Sequence, residues 1–82
     1  LPAAETAEFW EREYREWLVH RALEVMRGQF EPTTWRACWE TAVNGRSAKD
    51  VSQLLGLSES AVYIAKFRVL RRLRGELSGL LD

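Results

Sequence analysis

The chain has 82 residues, 46% apolar and 11% aromatic, which is enough for one domain with a single core and excludes a disordered chain. Twelve basic residues balance twelve acidic ones, so this is not a uniformly basic nucleic-acid binder. The single cysteine excludes an internal disulfide and points to a reducing compartment, the cytoplasm.

No apolar run reaches the roughly 18–20 residues of a membrane span, and no signal peptide is visible. The first residue is Leu1 rather than Met, as expected of a piece of a longer protein. Leu1 to Thr6 reads as a short, mobile lead-in. From Ala7 to Gly28 the pattern predicts a long helix, acidic at its start as the helix dipole favours. Trp10, Tyr14, Trp17 and Leu18 recur at helical spacing, and Val19, Leu23, Met26 and Phe30 continue the apolar positions. The expectation is a core stripe, not a cofactor site. Gly28 ends the helix and Phe30-Glu31-Pro32 makes a turn. Thr33 or Thr34 is expected to cap a second helix, Thr34 to Asn44, burying Trp35, Cys38, Trp39, Ala42 and Val43. Asn44-Gly45 stops it.

From Arg46 the chain reads as helix, tight turn, helix. Ser47 is a good N-cap, with Asp50 three positions on as an imperfect capping box. Val51, Leu54 and Leu55 share one face, Gly56 supplies the left-handed residue that ends the helix, Leu57 is expected to be buried, and Ser58 caps the next helix. This is the helix-turn-helix pattern, whose second helix enters the DNA major groove. No stretch alternates as a strand does. The expected fold is all-α: a four-helix domain with a C-terminal helix-turn-helix. Residues 1–29 form the lead-in and long helix, packed as one unit with residues 30–82.

On the last helix Val62, Ala65, Val69, Leu73 and Leu77 fall on one face, expected to be the core side. Ser60, Ile64, Phe67, Arg68 and Arg71 fall opposite, with Tyr63 and Arg74 at the edge. Arginine reads guanine edges and apolar side chains pack on thymine methyls, so this face suits a groove. The competing reading packs Tyr63, Ile64 and Phe67 on another part of the chain. Charge is distributed unevenly: residues 1–45 hold eight acidic and five basic residues, whereas 46–74 hold seven basic and two acidic. The basic charge thus coincides with the helix-turn-helix. Catalytic chemistry is not expected. His20 and Cys38 stand alone, no metal-ligand set or phosphate loop is visible, and Glu11, Glu13 and Glu16 interleave with Arg12 and Arg15 as on a solvated face. The expectation is no enzyme, no cofactor and no metal.

Several segments resemble region 4 of bacterial sigma factors, nearest the small extracytoplasmic-function group: Gly45-Arg46-Ser47-Ala48-Lys49-Asp50-Val51, Leu54-Leu55-Gly56-Leu57-Ser58, Ala61-Val62-Tyr63 and Arg68-Val69-Leu70-Arg71-Arg72-Leu73. The stretches Phe30 to Arg36 and Trp39 to Gly45 are similar to the preceding part of that region. The resemblance covers roughly Phe30 to Leu77. It implies recognition of the promoter −35 element, docking on the β flap of RNA polymerase, and coverage of the same surfaces by an anti-sigma factor. It places Tyr63, Ile64, Phe67 and Arg68 at bases and Arg46, Ser47, Lys49 and Ser60 near phosphates; Ser58, capping the last helix, and Arg71, on its outward face, are also expected at the DNA from their place in the helix-turn-helix. Many relatives carry basic or small polar residues where this chain has Tyr63, Ile64 and Ala65, which implies a different −35 sequence or weak DNA affinity. The region that melts the −10 element is not within these residues. Two other readings compete: a LuxR-type response-regulator effector domain, which dimerises on repeated half-sites, and a protein-interaction module with a vestigial helix-turn-helix. The final glycines suit a monomer on an asymmetric site.

Overall fold

A computed structural model describes the backbone of residues 3–78 and the side chains of residues 6–78. Within it lie four α-helices and no strand: α1 (Ala3–Met26), α2 (Pro32–Cys38), α3 (Ala48–Leu55) and α4 (Glu59–Leu77). The fold is all-α. The first helix starts at Ala3, so much of the expected lead-in is helical. A 3-10 turn, Arg27–Gln29, follows α1, close to where Gly28 was expected to end it. Leu1, Pro2, Gly79, Leu80, Leu81 and Asp82 lie outside the described residues.

Neither Thr33 nor Thr34 caps α2. Glu31 precedes the helix with extended backbone and Pro32 takes its first position. Proline suits that position because its fixed φ is helical and the missing N–H would lack a helical partner anyway. After Cys38 the helix widens into a π-helical turn, Trp39–Val43. The Thr41 hydroxyl donates to the Ala37 carbonyl at 2.8 Å and approaches that of Cys38 at 3.2 Å. Such a side chain competes with the backbone ladder, and Asn44 N–H instead reaches five residues back to the Trp39 carbonyl at 3.1 Å. The wider turn shifts the helix phase. Ala42, expected inside, is exposed, while Ala37 and Glu40 are buried. Gly45 then adopts φ +70° and turns the chain back.

The next two helices form as their local signals require. Ser47 Oγ accepts from Asp50 N–H at 3.1 Å, and Ser58 Oγ accepts from Ala61 N–H at 3.0 Å. Between α3 and α4 only Gly56-Leu57-Ser58 intervene. Gly56 sits at φ +69°, and Leu57 N–H donates to the Ser52 carbonyl at 3.0 Å, the Schellman closure. Leu54 is exposed, although it was expected on the buried face. Val51 and Leu55, four apart, already fill the strip facing α4, and Leu54 falls about 100° from Leu55.

The spine of the molecule is α4. Its Val62, Ala65, Val69, Leu73 and Leu77 are all buried, as their spacing predicts. The N-terminal part of that stripe packs with Ala37 and Val51; the C-terminal part packs with Leu23, Met26 and Cys38. Trp35 joins α1 to α2: its indole N–H donates to the Leu23 carbonyl at 2.8 Å, its ring stacks on Trp39 at 4.9 Å, and the Arg27 guanidinium lies 4.8 Å from its centroid.

The first half of α1 departs from expectation. Trp10, Tyr14 and Trp17 were expected in the core, yet Trp10 is 63% and Trp17 60% exposed, and Tyr14 is exposed with them. Only from Leu18 onward does α1 pack on the core. A helix of 24 residues spans about 36 Å, whereas the molecule measures 47 × 24 × 17 Å. Because its core contacts begin at Leu18 while Trp10, Tyr14 and Trp17 are exposed, the turns before Leu18 stand clear of the core.

Candidate nucleic-acid interface

The face of α4 opposite its buried stripe is open. Tyr63, Ile64 and Phe67 are 51%, 60% and 59% exposed, so they do not pack on another part of the described chain. Ser60, Arg68, Arg71 and Arg74 are exposed with them. Tyr63, Ile64, Phe67, Arg68 and Arg71 line one shallow hollow of about 400 Å³. A second hollow of about 500 Å³ lies farther along, where Arg68, Arg71 and Arg72 surround Phe30 and Gly75. Arg72 Nε lies 3.5 Å from Glu76, one turn on. Arg68 and Arg71 have no carboxylate partner among the described residues.

This arrangement follows from helix periodicity. Once Val62, Ala65 and Val69 turn inward, residues 63, 64, 67, 68 and 71 must turn outward. Apolar side chains and the forked donors of two arginines thus line the same hollow. Ala65, between Ile64 and Lys66, is buried and belongs to the core. Lys66 lies to one side, its ammonium 6.0 Å from the Phe67 centroid.

The residues expected near phosphates sit around the starts of α3 and α4. Ser47 and Ser58 both use their oxygens as N-caps, which leaves each hydroxyl proton free to be donated. Lys49 and Ser60 are exposed in the first turns of α3 and α4. Arg46 has a further task. Its Nε lies 2.8 Å from Glu40 Oε2, and Asn44 Nδ2 donates to the other oxygen, Oε1, at 2.9 Å. Arg46 N–H also donates to the Glu40 carbonyl at 3.0 Å. The buried Glu40 thus ties the end of α2 to the start of α3. Sequence reading missed this clamp, because only the left-handed turn at Gly45 brings Arg46 back over Glu40. The remaining guanidinium donors of half-exposed Arg46 point away from that bond and can still meet an anion.

Elsewhere, Cys38 is fully buried. Burial pushes its thiol up to about 11, and the nearby Lys66 ammonium opposes that only in part. His20 is held by Glu24 at 3.0 Å and meets Trp39 edge-on at 4.7 Å. Among the described residues no three His, Cys, Asp or Glu gather as a metal site would need, and no helix is long and apolar enough to cross a membrane. No family model, curated protein or solved structure matches the chain.

Proposed function

We propose that this chain is a sequence-specific DNA-binding domain of the sigma region 4 kind, which reads a promoter −35 element through the exposed face of α4. In this reading Tyr63, Ile64, Phe67, Arg68 and Arg71 meet base edges, while Ser47, Lys49, Ser58, Ser60 and the outer donors of Arg46 meet phosphates. The domain works in the cytoplasm, docked on the β flap of RNA polymerase, and an anti-sigma factor silences it by covering the same face. One observation carries the reading: an apolar trio and two carboxylate-free arginines share the exposed side of a helix that follows a capped helix and a three-residue turn. Exposed apolar side chains ringed by arginine are costly on a merely solvated surface and useful in a major groove.

Net neutrality and the apolar trio also favour a second reading, a protein-interaction module that binds no DNA. Salt separates the two. The two cations assigned to phosphates, Arg46 and Lys49, give a slope of log K against log salt of roughly −2. Between 50 and 200 mM salt the affinity for a duplex then falls about tenfold. Titration of one −35 half-site, with light scattering of the free domain, should give a monomer and one protein per duplex. A flat salt response would favour the interaction module. A stable dimer that requires repeated half-sites would favour the LuxR-type alternative.

A further inference from the structure

We propose that the aromatic stripe of α1 is a docking surface for a partner protein helix whose own apolar stripe is flanked by lysine or arginine. The inference rests on α1 alone and is independent of what α4 binds.

Trp10, Tyr14 and Trp17 follow the spacing i, i+4, i+7, which is the seam spacing of paired helices. The rings are already arranged. Phe9 meets Trp10 edge-on at 5.3 Å, and Tyr14 stacks on Trp17 at 6.3 Å with their planes 26° apart. Exposed tryptophans concentrated on one helix face mark an interaction site more often than scattered exposed apolar residues do. At about 100° per residue, the stripe lies on the opposite side of α1 from Leu23 and Met26. Those two are buried at 0% and 3% exposure. Rotating α1 to bury the stripe on the domain's own core would therefore expose them, so the covering surface comes from outside this domain.

Charge selects the occupant. Residues 5–17 hold five glutamates against Arg12 and Arg15. On the helix wheel Glu13 lies nearest the stripe on one side and Glu11 on the other, while Arg12 and Arg15 fall on the far side. Past Trp17 the stripe ends at Arg21, itself paired with Glu24 at 3.4 Å. Acids on both flanks repel nucleic-acid phosphates and anionic membranes. They also repel a second copy of the same stripe, where Glu11 and Glu13 would face glutamates again. A helix with basic residues beside its seam meets them with opposite charge. The projecting turns, Ala3 to Trp17, give such a helix about 22 Å of surface.

The probes are two labelled helical peptides of three heptads, both with leucine at the seam, one flanked by lysine and the other by glutamate. Fluorescence anisotropy against the 82-residue chain should show saturable binding of the lysine peptide that weakens with salt, and none of the glutamate peptide. Combining Trp10→Ala with Trp17→Ala should weaken the lysine peptide by at least about tenfold, as loss of a seam anchor does. Because both side chains are exposed, the melting temperature should hold, and the double variant reports on docking rather than folding. The proposal is overturned by failure of the lysine peptide to bind, by equal binding of the two peptides, or by unchanged binding in the double variant. A dimer of the chain itself that the double variant abolishes would also overturn it, in favour of self-pairing.

Discussion

The four tryptophans divide into two kinds, and replacing one of each measures the division. Trp35 is 7% exposed, donates to the Leu23 carbonyl at 2.8 Å, and stacks on Trp39 at 4.9 Å. Trp35→Ala would remove about 3–5 kcal/mol from a domain whose whole stability, at this length, is roughly 4–12 kcal/mol. Near the lower end of that range the variant would be largely unfolded, so Trp35→Phe is the graded probe. It loses one buried hydrogen bond, about 1 kcal/mol, and part of an aromatic contact, about 0.5–1 kcal/mol. At about 4–8 °C per kcal/mol for a domain of this size, the melting temperature should fall by roughly 6–16 °C. Trp17→Ala, by contrast, removes an exposed ring and should stay within about 0.5 kcal/mol, a shift below about 4 °C. Thermal unfolding followed by circular dichroism reads both. Equal losses would place Trp17 in the core and refute the account of α1; a neutral Trp35→Phe would refute the role of the indole N–H.

Other outcomes follow from the same geometry. Because Glu40 is buried while Arg46 is half exposed, a double-mutant cycle of Glu40→Gln and Arg46→Ala should give about 1 kcal/mol of coupling, between values for surface and buried pairs; additive losses would mean that the clamp contributes nothing. The Cys38 thiol titrates near 9.0 when unfolded and is raised to about 11 by burial in the fold. Its contribution to stability is therefore complete below pH 9 and is lost as pH rises through about 11, so at pH 8 it should resist alkylation until the chain unfolds; rapid labelling of folded protein would place it at the surface. Ser58→Ala should cost about 1 kcal/mol through loss of the α4 cap, and an unchanged melt would mean another group takes over Ala61 N–H.

What the residues disclosed beforehand depended on how local each signal was. The caps at Ser47 and Ser58, the left-handed Gly56 and the buried stripe of α4 are set within a few residues of sequence, and they form as read. The outward face of Tyr63, Ile64, Phe67, Arg68 and Arg71 was legible for the same reason, being the complement of that stripe. The first half of α1 was not. Periodicity shows that Trp10, Tyr14 and Trp17 share a face, but not whether the rest of the fold extends far enough to cover it. The shift at Ala42 depended on a hydroxyl at Thr41 that takes a backbone carbonyl, and helix-wheel reasoning has no place for such a competitor. The start of α2 was misread because Thr33 and Thr34 drew attention as caps, while Pro32 already occupied the first helical position. The tie between Glu40 and Arg46 crosses a turn and leaves no periodic trace.

The central claim is that the exposed face of α4 reads bases, and enrichment from a library of random duplexes tests it most directly. The chain should select one asymmetric motif a single half-site long. Arg68→Ala should select the same motif with one base pair relaxed, a loss of about 1–3 kcal/mol at that position, whereas Arg72→Ala, whose guanidinium lies beside Glu76, should leave every position unchanged in preference. Selection of no motif, or equal and sequence-independent losses in the two variants, would contradict the assignment of this face to DNA.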